Sequence, residues 1–321
     1  MNRWIRKALV AVLAVAAATA AQAQFPSKTV KLVVAFPPGG STDTTARLIA
    51  PKLAEKWGHA VVVENKPGAA ANIGTDYVAK SEPDGTTMLL ATTAIAISAV
   101  VYEKLNYDAL RDLAPVTLVS TIPNVLVVNN EVPARDIKAF IAYAKANPGK
   151  LNFAAPGAAS GQRLTFELIK QLTGTDIVMV PYKGGAPAVQ ATMAGETQAM
   201  IVNVVEAASL VQGGKLRALA ATTASRSPLL PDVPTLAETV APGIDASVWQ
   251  GVLVPSGTPP AVIAKINADV AAALNAPDVR ARLTQLGMTI QTGSPEAFGR
   301  FLREEITTWG KVAKAANVKV E

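Results

Sequence analysis

Along this chain, apolar residues fall in short runs of strand length. Several of these runs end at a proline or glycine turn and give way to a segment with helical spacing. The first unit sets the pattern. Lys31 to Phe36 reads as a buried strand, Pro37 to Gly40 as a turn, and a helix starts at Ser41 or Thr42, with Ala46, Leu48, Ile49 and Leu53 near helical spacing. A helix start leaves backbone N–H groups without intrahelical partners, and the helix dipole adds partial positive charge there. The turn therefore suits a carboxylate or a phosphate. Leu151 to Leu168 repeats the design: a strand, Pro156-Gly157, small residues, then a helix. One such turn in each half of a protein would grip one anion from two sides.

Between and after these units the alternation continues. Strands are expected at 60–65, 87–93, 177–181, 198–203 and 216–221, with helices after Gly68–Gly74, at 137–147, after the glycine turn at 182–187, and around 207–212. This order predicts an α/β protein with parallel sheets and crossover helices. Ligands of such sheets sit beyond the carboxyl ends of the strands, which puts the turns at 36–41, 68–72 and 92–94 on one rim. The apolar runs 116–120 and 125–129, split by Pro123, fit either one bent strand or a crossover between lobes. Residues 227–235 form a proline-rich loop, and 248–254 reads as a strand crossing back. Three amphipathic helices close the chain at 259–275, 278–286 and 295–316. Phe298, Phe301, Leu302 and Trp309 form the core stripe of the last. The layout is two α/β lobes, 24–122 plus 249–321 and 123–248, with two crossings that act as a hinge.

Composition narrows the chemistry. The 321 residues are half apolar, long enough for one large domain or two smaller ones. Arg3, Arg6 and Lys7 precede an apolar run from Ala8 to Ala21, followed by Ala21-Gln22-Ala23. This predicts a signal peptide over 1–23, cleaved after Ala23, and hence an exported mature chain; the alternative is an uncleaved anchor. Without those three basic residues the formal charge falls from +6 to +3. The remaining charges are scattered, with no basic cluster to follow a nucleic acid.

There is no cysteine and one histidine, His59, at the expected end of the first helix. Disulfides, thiol nucleophiles and thiolate metal sites are excluded, and no Gly-x-Ser-x-Gly elbow is present. Neither glycine turn matches a nucleotide P-loop or a dinucleotide fingerprint. No cofactor, metal site or catalytic residue is expected.

At this point a family resemblance emerges. It rests on Phe36-Pro37-Pro38-Gly39-Gly40-Ser41-Thr42-Asp43, Glu64-Asn65-Lys66-Pro67-Gly68 with Asn72-Ile73-Gly74, and Pro83-Asp84-Gly85. It continues through Ala144 to Asn152, Val180-Pro181-Tyr182-Lys183-Gly184, Lys215 to Ala220, and Pro231-Asp232-Val233-Pro234-Thr235. In order and spacing the chain resembles the extracytoplasmic receptors of tripartite tricarboxylate transporters, also called Bug proteins. The resemblance implies a periplasmic-binding-protein fold, two α/β lobes around a ligand cleft, no enzymatic activity, and capture of an organic carboxylate. It implies ligand contacts at Phe36, Pro38, Gly39, Gly40 and Ser41, a water-mediated one at Asp43, and contacts at Gly157, Ala158, Ala159, Ser160, Gly161 and Arg163. Thr92, Ala94, Tyr182 and Asn203 would line the cleft. The partner would be a membrane permease or, alternatively, a sensor histidine kinase, and a periplasmic monomer is expected.

Three positions depart from the family pattern. Gly161-Gln162-Arg163-Leu164 stands where Ser-Pro-His-Leu is usual. Arg163 either points to solvent or pairs with a second ligand carboxylate. Val202-Asn203 replaces a common Asp-Asn, which removes a partner for a ligand ammonium. Ser98 replaces a common asparagine. With Phe36, Ile95 and Trp249 expected near the cleft, an amine-free mono- or dicarboxylate is favoured.

Overall fold

The computed structural model describes residues 25–155, 160–182, 185–242 and 244–320. The expected export signal and Gly157, Ala158 and Ala159 of the second turn lie outside these residues. No helix among the described residues is long and apolar enough to cross a membrane.

The first lobe opens with β1 (Val30–Val34), α1 (Ser41–Trp57), β2 (Val61–Asn65), α2 (Asn72–Ala79), β3 (Thr87–Thr92), α3 (Ala94–Val101) and β4 (Leu113–Ile122). The chain then enters the second lobe with β5 (Asn124–Asn129), α4 (Ile137–Ala146), β6 (Asn152–Ala155), α5 (Gly161–Thr173) and β7 (Val178–Pro181). There it continues through α6 (Gly185–Ala194), β8 (Ala199–Asn203), α7 (Val204–Gln212), β9 (Leu216–Ala221) and the short α8 (Leu236–Thr239). It returns with β10 (Val248–Pro255), α9 (Pro260–Asn275), α10 (Pro277–Gln285), β11 (Thr289–Ile290) and α11 (Pro295–Ala315).

Two sheets result, ordered β11-β4-β10-β3-β1-β2 and β7-β6-β8-β5-β9. Pro123 separates β4 from β5. It brings no N–H to a ladder, and there the chain changes sheets. Of the two readings of that proline, the crossover is the one observed.

Parallel sheets were expected, and the sheets are mixed. β1 lies parallel to β2 and β3, and β6 parallel to β7 and β8, whereas β10 runs against β3 and β4, and β5 against β8 and β9. The physical reason is the double crossing. β5 and β10 each follow a passage between lobes, so they start at the cleft and run away from it, while their neighbours run towards it. β7 differs too: expected to be buried, it is an edge strand with Val178 44% exposed.

β5, in contrast, is buried along its whole length, covered on both faces by helices. Val125, Leu126, Val127 and Val128 are each 0% exposed, and burying such a side chain contributes about 1.5–3 kcal/mol.

Trp249 was expected near the cleft and instead sits in the core, 0% exposed. Its ring meets Phe298 and Phe301 edge-on at centroid distances of 5.7 and 5.6 Å. Its Nε1 donates to Glu305 Oε2 at 2.7 Å, and Trp309 Nε1 donates to the same oxygen at 3.0 Å. Burial raises the Glu305 carboxyl above its ordinary range, and the two indole N–H groups oppose that rise. Ile95, also expected near the cleft, belongs to the same core. The stripe of α11 faces inward as its periodicity predicted.

β10 approaches α11 closely because Gly251 has no side chain: a Cβ there would run into the Phe298 ring. Gly251→Ala should therefore lower stability by about 1–3 kcal/mol through overpacking. Urea unfolding checks this, and an unchanged midpoint would show that the ring moves aside freely.

Candidate functional site

The strands that run with the majority in each sheet end on the same side, and the helices that follow them start there. A cavity of about 1040 Å³ opens between the lobes at this rim. Phe36, Pro38, Gly40, Ser41 and Thr42 line it from the first turn, Thr92, Thr93 and Ala94 from the start of α3, and Ala70 from the loop before α2. Facing them are Ser160, Gly161 and Gln162 at the start of α5, Tyr182, Gly185 and Ala186 at the start of α6, and Met200 to Asn203 with Glu206 at the start of α7. Tyr102 and Val248 complete the wall.

The starts of α1, α3, α5, α6 and α7 thus converge on one space. Helix starts carry unpaired N–H groups and the positive end of the dipole, so they bring partial positive charge to the cavity without a basic side chain. Among the described lining residues there is no lysine, arginine or histidine.

The first turn is held from beneath. Asp43 Oδ2 accepts the Gly39 N–H and Arg47 Nε, each at 2.9 Å, and its Oδ1 accepts Asn65 Nδ2 at 2.9 Å. Asn65 Nδ2 also donates to Phe36 O at 3.1 Å, and Arg47 Nη2 donates to Asn65 Oδ1 at 3.0 Å. These three side chains fix the turn at its start and its middle. No side chain caps α1, whose N-cap is Gly40 in an extended conformation. The N–H groups of Ser41, Thr42 and Asp43 are consequently left without intrahelical partners.

Asp43, expected as a water-mediated contact, is buried and does not line the cavity. The Arg47 guanidinium above all, with the Gly39 N–H and Asn65, holds its carboxyl at about 2 against the effect of burial.

The second turn is built differently. Ser160 is the N-cap of α5, and its hydroxyl accepts the Arg163 N–H at 3.2 Å. Gly161 lines the cavity, while the half-buried Arg163 is not among the lining residues. Asn203 caps α7 by accepting the Val205 N–H at 3.0 Å, which leaves its Nδ2 as a donor. Thr92 Oγ1 accepts the Ala94 N–H at 3.2 Å, and Thr93 Oγ1 accepts the Trp249 N–H at 2.9 Å. The last bond ties the returning crossing to the cavity wall.

Ten of the expected residues therefore share one cavity: Phe36, Pro38, Gly40, Ser41, Thr92, Ala94, Ser160, Gly161, Tyr182 and Asn203. Gly39 lines a smaller neighbouring cavity of about 560 Å³, its N–H already taken by Asp43. Sequence reasoning missed Glu206 and Tyr102, whereas Ala70 falls in the turn 68–72 that it placed on the rim and Gln162 in the second turn. A signal existed for Glu206, since Asn203-Val204-Val205-Glu206 has the spacing of a capping box. Ala69, Ala70 and Ala71 all adopt positive φ, an arrangement that costs about 1–2 kcal/mol per residue and gave no warning in a run of alanines.

A model of the family described as "Tripartite tricarboxylate transporter family receptor" matches residues 45–318. The chain belongs to this family. A solved R. palustris protein with adipate is 37% identical, with a TM-score of 0.82, and the match covers 92% of this chain and 99% of that one. The periplasmic binding protein BugD is 31% identical at a TM-score of 0.80, covering 92% and 100%. MatC from Rhodopseudomonas palustris, solved with bound malate, is 34% identical at 0.78, covering 90% and 99%. The fold of this family receptor is that of the two-lobed periplasmic binding proteins, and its neighbours are binding proteins.

Asp43 links the site to pH. Its folded pKa, about 2, lies below the ordinary 3.8, so its contribution is present above the ordinary value and lost as pH falls through about 2. The size of the shift corresponds to about 2 kcal/mol. Asp43→Asn should cost this receptor about that much at neutral pH. The gap between the two proteins should narrow as urea unfolding is repeated at progressively lower pH. A gap independent of pH would mean that the ionised carboxylate is not what holds the turn.

Proposed function

We propose that this protein is a periplasmic receptor that captures a small organic carboxylate between its lobes and delivers it to the membrane permease of a tripartite tricarboxylate transporter. The observation that carries this reading is the convergence of five helix starts on one interlobe cavity with no basic side chain among its described lining residues. Such a site is selective for a compact anion that accepts several backbone N–H bonds. Two related proteins of the same architecture were solved with organic carboxylates, adipate and malate, which supports the same chemical class here. The basic and apolar N-terminal segment with its Ala-x-Ala end supports export.

The bodies that close on the ligand are the lobes 24–122 with 249–321 and 123–248, turning about Pro123 and the start of β10. Contacts to the ligand are assigned to the first turn from Phe36 to Ser41, to Thr92 and Ala94, to the second turn from Gly157 to Gly161, and to Tyr182 and Asn203. Arg163 and Asp43 act from behind the wall, the latter by fixing the first turn. The expected preference for amine-free acids drew on Val202, which lines the cavity, and Glu206 adds a carboxylate to the same wall.

Thermal unfolding of the mature chain against a panel of carboxylates tests the reading. Ligand at 100 times its dissociation constant stabilises by about 2.7 kcal/mol, a rise on the order of 2–4 °C per kcal/mol. Ser41→Glu, which sets a carboxylate at the open start of α1, should abolish the rise and leave the unliganded midpoint within about 1 kcal/mol of the wild type. No rise with mono-, di- or amino-carboxylates would contradict the assignment.

A further inference from the structure

We propose that Glu206 is the specificity-determining residue of this cleft, selecting a carboxylate whose far end carries a hydrogen-bond donor over one that ends in a second carboxylate. The proposal rests on the carboxylate reading above and adds which acid the cleft prefers.

Glu206 occupies a particular place. Ser41, Asn203 and Glu206 are the residues common to the large cavity and its smaller neighbour, so they stand where the two spaces meet. Ser41 belongs to the uncapped start of α1 and the other two to the start of α7, on the opposite lobe. A ligand anchored by one carboxylate on the helix starts has Glu206 on its wall, at the passage through which a longer chain would extend.

The charge balance of the cleft is the second observation. Glu206 is the one residue with a formally charged side chain among the described residues lining either cavity. Among the described residues no hydrogen bond or ion pair reaches its carboxylate, and its partial desolvation at the cavity wall raises its pKa. The helix does not need it as a cap, because Asn203 already accepts the Val205 N–H. Despite the capping-box spacing, the side chain does not fold back to close the box; it is left facing the cleft.

Glu206 is exposed here and water can donate to its carboxylate; closure of the lobes on a ligand would remove that water, and a carboxylate left without a donor is unfavourable. A hydroxyl or an ammonium on the ligand removes that cost by donating to Glu206. A second ligand carboxylate adds like-charge repulsion, and no cation among the described lining residues offsets it. Discrimination of this kind works by penalising the wrong ligand as much as by rewarding the right one. Val202, on the same wall, contributes neither charge nor donor, so the choice falls to Glu206.

Titration calorimetry on the wild type, Glu206→Gln and Glu206→Asp tests this with short linear acids of equal length. The probes end in a hydroxyl, an ammonium, a methyl group or a second carboxylate. The wild type should bind a donor-ended acid about tenfold or more tighter than the dicarboxylate of the same length. Glu206→Gln should erase that ratio, mainly by tightening the dicarboxylate, while Glu206→Asp keeps its sign. The hydroxyl and ammonium arms show which donor the cleft takes. Since Glu206 is exposed, both variants should keep the wild-type melting temperature without ligand. A wild type that prefers the dicarboxylate, or an unchanged ratio in Glu206→Gln with methyl-ended acids still bound, would overturn the role of Glu206 alone. Failure of every acid to bind any of the three proteins would overturn the carboxylate reading, and this proposal with it.

Discussion

Backbone N–H groups at the starts of helices need partners, and the protein is built to keep several of them pointed at one space. Strand direction is what brings this about. A strand that ends at the cleft delivers its following helix with its positive end there, and this happens in both lobes. Three strands run the other way: β5 and β10, which start at the cleft because the chain has just crossed it, and the short β11 beside β4. The antiparallel placement of β5 and β10 is the cost of joining two lobes with two passages.

The rest of the architecture steadies that arrangement. Asp43, Arg47 and Asn65 hold the first turn by bonds to Phe36 O and Gly39 N–H, so the open helix start above them is not free to close on itself. At the returning passage, the Thr93 hydroxyl accepts the Trp249 N–H, while the Trp249 indole is anchored in the core by Glu305 and the rings of α11. One residue therefore connects the cavity wall, the crossing and the hydrophobic core. Under the proposed closure of the lobes, such a link would hold the wall in place at the crossing.

Much of this was legible in the sequence because it depends on local rules. Strand-length apolar runs marked β1, β3 and β8, and the turns after β1 and β3 marked part of the rim of the cavity. What escaped depended on contacts between distant segments. An apolar run does not reveal whether its strand lies at the edge, as β7 does, or in the middle, as β5 does. Trp249 was expected near the cleft, and its burial in the core escaped because its partners Phe298, Phe301 and Glu305 lie far away in sequence. Asp43 was expected as a water-mediated contact; Arg47 beside it on the same helix was in view, but Asn65, which joins them, is brought there by the fold. Glu206 drew no attention in the sequence, because its place on the cavity wall depends on the opposite lobe.

The central claim is that the site recognises a negative charge through backbone N–H groups. It is tested most directly by calorimetry with the acid that gives the largest thermal shift, compared with its primary amide. The two ligands share shape and a carbonyl oxygen, and they differ in charge and in the number of accepting oxygens. The account predicts that the acid binds at least about a hundredfold tighter, a difference of about 2.7 kcal/mol. Equal affinity for acid and amide would contradict it, because the cleft would then be reading shape and not charge.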